Sequence, residues 1–303
     1  MKATLGEKIF GFFNTFVLLL ISFLCLFPLI NVLAISFSDS TAAAAGKVWM
    51  WPVQFTLNSY QYVLQKPEFY NAFGISVLRV LVGVTLGMLI TIITAYPLSK
   101  DPREFPQRTV YVWFLFITML FSGGLIPLYM TIRSLGLMDN FLVLILPTAL
   151  SVWNIILVLN FVRGLPKEVS ESAYMDGAGH WTMLWRIVVP MSKPVLATVT
   201  LFTCVTQWNS WFDGLIFLNQ PSHYPLQTYL QTAVVQIDLA KLTEALNGAD
   251  AEQARQQMET LSKISNRTYR AAQIFAGTLP ILLVYPFLQK YFIKGIVLGS
   301  VKE

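Results

Sequence analysis

The chain has 303 residues, 55% of them hydrophobic and only 12% charged, with a formal net charge of +5. A soluble domain carries roughly 25% charged residues, so this composition excludes a wholly water-facing surface, and a mean hydropathy of +0.59 points to a lipid-embedded bundle. The basic residues are scattered among apolar runs without a stripe or a nucleic-acid motif, so they are read as setting membrane orientation and not as a nucleic-acid site.

The first apolar run, Phe10–Phe37, follows Lys2 and Lys8 and is too long for a signal-peptide core. It is read as an uncleaved first spanning helix. Asp39–Tyr70 comes next, with Trp49, Trp51, Pro52 and Pro67, and is expected to be an ordered outer loop over residues 39–70. Further spans are predicted at Asn71–Ser99, Thr109–Ile132, Phe141–Val162, Lys193–Leu218 and Ala271–Phe292, each near the roughly 20 residues a bilayer requires. Gly123-Gly124 and Pro127 interrupt the third, and Pro147 the fourth. The expected architecture is therefore an all-α polytopic membrane protein with six spans.

Basic residues in the short connections decide orientation. With both termini cytoplasmic, Lys100, Arg103 and Arg108 fall inside, as do Arg163, Lys167 and Arg186, and the tail adds Lys294 and Lys302. The long connection Asn219–Arg270 lies outside and contains Asp250–Leu261, a polar stretch of good helix formers expected to be helical. Cys25 and Cys204 both sit in apolar runs, which argues against a disulfide framework.

The segment 164–190 differs from the spans around it. Pro166 can open a helix with Glu168 and Glu171 in its first turns, where acidic side chains complement the helix dipole. Gly177 and Gly179 then bend the chain. Trp181, Leu184, Trp185, Ile187 and Val188 form an apolar second half, and Pro190 is expected to end it before the next span.

In this segment Glu171-Ser172-Ala173, Asp176-Gly177-Ala178 and Ile187-x-Val189-Pro190 stand at fixed spacing. That string resembles the EAA loop of binding-protein-dependent ABC importer permeases, with Ser172 and Val189 as mild departures. The whole chain is similar to the maltose-type, MalG-like permeases of carbohydrate importers. Its long fifth-to-sixth connection and the string Trp208–Gly214 are closer still to the LplC/YtcP-type subfamily. The resemblance implies a type I ABC importer transmembrane domain, with a coupling helix that docks on an ATPase through Glu171, Ser172, Ala173, Asp176, Gly177 and Ala178. It also implies a second homologous permease, two ATPase subunits carrying ATP and Mg²⁺, and an extracellular solute-binding protein. No cofactor is expected in this chain.

Charged and amide groups inside a membrane are costly and mark candidate substrate paths. Arg79 in the second span and Asp213 in the fifth are read as a pair or as the lining of a polar cavity. Gln207, Trp208, Asn209, Trp211 and Asp213 combine ring faces with hydrogen-bonding groups, the chemistry that holds sugars, although membrane-interface tryptophans also form anchoring belts. No Gly-x-x-x-x-Gly-Lys-[Ser/Thr] loop is present, so ATP hydrolysis by that route is excluded. His180 and His223 stand apart, without a metal-ligand cluster, and no catalytic constellation is evident. An ion-driven secondary transporter and an importer of a non-sugar solute are the competing readings.

Overall fold

The computed structural model describes residues 4–232 and 266–300. The expected helix at Asp250–Leu261 lies outside the described residues. The chain divides into two units, one of Met1–Phe69 with Thr232–Leu279 and one of Tyr70–Gln231 with Pro280–Glu303.

The first unit opens with α1, Leu5–Ser36, started by a reciprocal capping box between Thr4 and Glu7. Over its most apolar 18 residues none is buried, and Phe10, Phe12 and Leu19 are among the exposed side chains. A helix apolar all round and bare of packing is suited to lipid or a partner surface. Two short helices follow, α2 (Ser40–Ala44) and α3 (Asn58–Leu64). Ala34, Ile35, Ala42, Ala43, Val48 and Ala271 form this unit's small core. Arg267 ties the start of the last helix to this region by donating to the Ala43 carbonyl at 2.9 Å.

The second unit is built on α4, Pro67–Ser99, an unbroken helix of 33 residues. At 1.5 Å per residue it is about 50 Å long, well beyond a hydrocarbon core of about 30 Å. Where the sequence suggested a continuous third span, the chain forms α5 (Arg108–Leu120) and α6 (Leu125–Ser134), bent by 114°. Gly124 at φ 85° makes the break, a conformation that needs glycine. The fourth span is likewise two pieces: 3₁₀ turns over Phe141–Leu144 and Leu146–Thr148, then α7, Val152–Arg163, at 47°. Pro147 offers no N–H to a longer ladder, and the Ser151 hydroxyl starts α7 by accepting from the Asn154 N–H.

Next come α8 (Lys167–Met175) and α9 (His180–Met191), the latter widened to π-type winding over Met183–Val188. Pro190 does not end α9, which runs on to Met191. An 80° bend at Ser192 separates it from α10, Lys193–Asn209. The predicted fifth span is also shorter than expected, because it breaks at Ser210-Trp211 before α11, Phe212–Phe217. Then α12 covers Leu226–Thr232, and α13 covers Asn266–Ser300, enclosing the predicted sixth span with Pro280 and Pro286 inside it.

Three cores hold the second unit together. Ala95, Leu98, Ile155, Val158, Leu159 and Val199 lock α4, α7 and α10. Ile132, Val143, Leu144, Ile145, Phe217 and Leu218 join α6, the 3₁₀ turns and α11. Tyr96, Ala173, Met183, Leu184 and Val188 seat α8 and α9 on the end of α4. Burying one such side chain is worth about 1.5–3 kcal/mol in water-based terms.

Candidate functional site: a docking helix and a polar membrane cavity

The α8 segment is amphipathic at short range. Ala173 points into the core, 8% exposed, whereas Glu168, Glu171, Ser172, Met175 and Asp176 are exposed, Met175 to 88%. Ala173, expected as a docking contact, is therefore a packing residue that fixes which face of α8 points outward. Ala178 is half-buried beside the same core.

The Asp-Gly-Ala string has a backbone reason. Gly177 stands at φ 79°, its N–H donates to the Tyr174 carbonyl at 3.0 Å, and the Ala178 N–H reaches back to the Ala173 carbonyl at 3.0 Å. That is a Schellman ending, with glycine at the left-handed position. It satisfies the last carbonyls of α8 and leaves Asp176 and Gly177 exposed at the tip.

Within the membrane-spanning region the structure joins Arg79 to Asp213. Arg79 is 1% exposed, its Nη1 donates to Asp213 Oδ1 at 3.2 Å, and its Nη2 pairs with the other carboxylate oxygen. Its Nε donates to Gln207 Oε1 at 3.0 Å and its Nη1 also to the Ser210 carbonyl at 3.3 Å. That carbonyl is freed by the break after α10, so the broken backbone helps to solvate the buried cation. Asp213 Oδ1 takes two further donors, the Ser210 hydroxyl and the Gly214 N–H, each at 2.9 Å.

This arrangement holds Arg79 as the buried member of an ion pair, with four of its five N–H groups donated to Gln207, Ser210 and Asp213. Trp208 is buried too, at 6% exposed with its ring edge-on to Phe73 at 5.8 Å. Asn209 and Trp211 are exposed, and Trp211 rests against Phe212. Gly214 matters for packing: a Cβ there would stand 2.3 Å from Thr228 Oγ1, which donates to the Trp211 carbonyl.

Trp208 lines an apolar cavity with Val77, Leu81 and Cys204, and Gln207 lines a separate one. Its Nε2 donates to Thr148 Oγ1 at 3.0 Å, and its side chain presses on α4 at Gly83, where a Cβ would lie 3.0 Å away. The cavity beside it, about 500 Å³, has a largely apolar wall that includes Leu201, Phe202 and Trp153, into which Thr148, Asn154, Thr203, Thr206 and Gln207 bring polar groups, and no lining residue is charged. Asn154 donates to Thr203 Oγ1 at 3.2 Å. Sequence reading missed this group, although Thr203, Thr206 and Gln207 repeat at the i, i+3, i+4 spacing of one helix face.

On a separate face, Asp139 at φ 55° accepts from the Asn219 N–H at 3.0 Å, the Gln220 N–H at 3.3 Å and His223 Nδ1 at 3.0 Å. Those donors, Asn219 first, hold its carboxyl below the usual carboxylate range. No cluster of three or more metal-ligating side chains occurs among the described residues.

Residues 105–298 match the model of a family described as the binding-protein-dependent transport system inner membrane component. The chain belongs to that family. As a whole it is 37% identical to Protein LplC of Bacillus subtilis, over 100% of this chain and 98% of that one. It is 35% identical to the polygalacturonan/rhamnogalacturonan transport system permease protein YtcP of the same organism, over 97% and 96%. In solved structures it resembles a chain of a bacterial ABC transporter that imports the acidic polysaccharide alginate, with a TM-score of 0.83 and 29% identity, covering 96% of this chain and 99% of that one. The chain is a type I ABC importer permease, and the bent helix pairs above are pieces of this permease fold.

Proposed function

We propose that this permease subunit pairs with a second, homologous permease in a bacterial cytoplasmic membrane, with both termini cytoplasmic, and conducts an oligosaccharide by alternating access. The cargo arrives on an extracellular solute-binding protein. ATP and Mg²⁺ bind on two separate ATPase subunits, one of which seats against the exposed face of α8 and the Asp176–Ala178 turn. The observation that carries the reading is α8 itself: Ala173 and Tyr174 hold it against the end of α4, while Glu171, Ser172, Met175 and Asp176 stand free of the chain's own core. A helix anchored on one side and bare on the other, with an apolar Met at its tip, suits a groove in a partner protein.

A saccharide cargo is supported by the hydroxyl and amide groups of Thr148, Asn154, Thr203, Thr206 and Gln207 on an otherwise largely apolar cavity wall that includes the Trp153 ring, since sugar hydroxyls take directional hydrogen bonds and their C–H faces stack on rings. The relative named for polygalacturonan and rhamnogalacturonan transport and the structure of an alginate importer point to the same class of cargo. The test is uptake of labelled oligosaccharide into vesicles holding the purified complex. Uptake is expected to require ATP on the α8 side and binding protein on the other. Asp176→Lys is expected to strip the ATPase from the complex while the permease pair remains. Uptake driven by an ion gradient through this chain alone would overturn the proposal.

A further inference from the structure

The cytoplasmic end of α4 is finished with unusual care. The Ser99 hydroxyl donates to the Tyr96 carbonyl at 2.7 Å, the Lys100 N–H to the Pro97 carbonyl at 3.2 Å, and the Arg108 Nε to the Leu98 carbonyl at 2.7 Å. The last carbonyls of the helix are thus satisfied, and the chain leaves it in a fixed direction. The Lys100 side chain, 15% exposed, then turns onto α8. Its Nζ donates to the Tyr174 hydroxyl at 2.7 Å and lies 5.1 Å from the ring centres of both Tyr96 and Tyr174, with Glu104 at 3.4 Å. His180, opening α9, sets its ring against the same two tyrosines at 6.4 and 6.1 Å, and its Nδ1 is 3.4 Å from the Tyr96 hydroxyl.

One ammonium set against the Tyr96 ring and hydrogen-bonded to the Tyr174 hydroxyl therefore fastens the end of α4 to the docking helix α8, and His180 brings the start of α9 against the same two tyrosines. Such a contact is directional, and it is stronger than either component alone when shielded from water. The Tyr96, Ala173, Met183, Leu184 and Val188 core lies beneath it, but apolar packing alone resists sliding weakly, because it has no preferred direction. The cation adds the direction.

We propose that the Lys100–Tyr174 contact is the joint through which displacement of α8 is delivered to α4, making Lys100 and Tyr174 positioning residues for the transport cycle. From Tyr96 to Arg79 α4 is continuous, a rod of about 25 Å at 1.5 Å per residue. Along that rod Gly87 lines the polar cavity and Gly83 carries the Gln207 side chain. A shift at the Lys100 end moves the cavity wall and bears on the Arg79–Gln207 contact. The inference rests on the reading that α8 docks on an ATPase.

The test uses the complete importer in vesicles, measuring ATP hydrolysis and saccharide uptake on the same preparation. Lys100→Met keeps the stem and removes the charge and donor, and Tyr174→Phe keeps the ring and removes the acceptor. Each is expected to co-purify with the ATPase and hydrolyse ATP within about two-fold of the unsubstituted complex, while ATP consumed per saccharide rises about ten-fold, the scale of one lost charge-assisted hydrogen bond. Lys100→Arg should recover most of the coupling, and the double variant should be no worse than Lys100→Met, since Lys100→Met already severs the Lys100–Tyr174 hydrogen bond that Tyr174→Phe removes. An unchanged ratio of ATP to saccharide in both single variants overturns the inference and leaves the docking reading intact. So does a parallel fall of both activities, which would make the pair merely structural. Failure of the unsubstituted chain to hold an ATPase removes the docking reading itself, and the inference with it.

Discussion

The Arg79–Asp213 pair gives a sharp energetic test, because its two members depend on each other unequally. Replacing Asp213 by Ala leaves a guanidinium, 1% exposed, with only the Gln207 and Ser210 oxygens for acceptors and no counter-charge. Breaking a buried pair from one side costs about 3–5 kcal/mol. Replacing Arg79 by Met leaves Asp213, 16% exposed, still accepting from the Ser210 hydroxyl and the Gly214 N–H. That carboxylate keeps two donors and some water, so the expected cost is nearer the roughly 1.5–3 kcal/mol of lost charged hydrogen bonds.

The assay is the unfolding midpoint of the purified chain in detergent. At about 2 °C per kcal/mol for a chain of this size, Asp213→Ala should lower it by about 6–10 °C and Arg79→Met by about 3–6 °C. The double variant Arg79→Met with Asp213→Leu should lie above Asp213→Ala alone, because it removes the uncompensated charge and fills the space with apolar atoms. A loss below about 2 °C in Asp213→Ala, or a double variant that shows the plain sum of both losses, would refute the claim that the pair is buried and mutually dependent.

Three further expectations follow from backbone and charge. A Cβ on Gly177 would meet nothing within 4 Å, so its role is conformational; Gly177→Val should abolish ATPase co-purification while Gly177→Asn, whose side chain tolerates the left-handed region, retains most of it. Gly214→Ala forces its Cβ against Thr228 Oγ1 and the Pro225 ring, and it should destabilise the chain by about 1–3 kcal/mol, read as a lower unfolding midpoint. Asp139 has its carboxyl held below the usual carboxylate range by the Asn219 N–H and His223, so its contribution to stability is full above the unfolded-chain value and is lost as pH falls through the lower folded value. Protease access near His223 should therefore rise only under acid conditions in the native chain, and already at neutral pH in Asp139→Ala.

The spans differ in how far the sequence reveals them. The first two are uninterrupted apolar runs and emerge as single helices, Leu5–Ser36 and Pro67–Ser99. In the third, Gly123-Gly124 announces the break, because only glycine enters φ 85° without cost. The break after Asn209 carries no such mark, and the Ser210 carbonyl beside it accepts from Arg79 across 131 residues. Likewise the Asp176-Gly177-Ala178 turn is legible as local backbone chemistry. The joint of Tyr96, Lys100, Tyr174 and His180 is assembled across 74 to 84 residues, and no periodicity records it.

The polar residues of the membrane interior make the same distinction at the level of single side chains. By cost alone, Arg79 and Gln207 are equal candidates for a substrate path. In the fold, Arg79 uses four of its donor positions on Gln207, Ser210 and Asp213, so its charge is consumed in closing the break between α10 and α11. Gln207 accepts once from Arg79 and donates once to Thr148, and its side chain also lines the cavity beside α10. Expense marks both residues as deliberate, but of the two only Gln207 brings hydrogen-bonding capacity to the cavity wall. That capacity depends on neighbours more than a hundred residues away. An intramembrane charge read from sequence is therefore first a question about its partner, and it becomes a substrate contact only where the partner is missing.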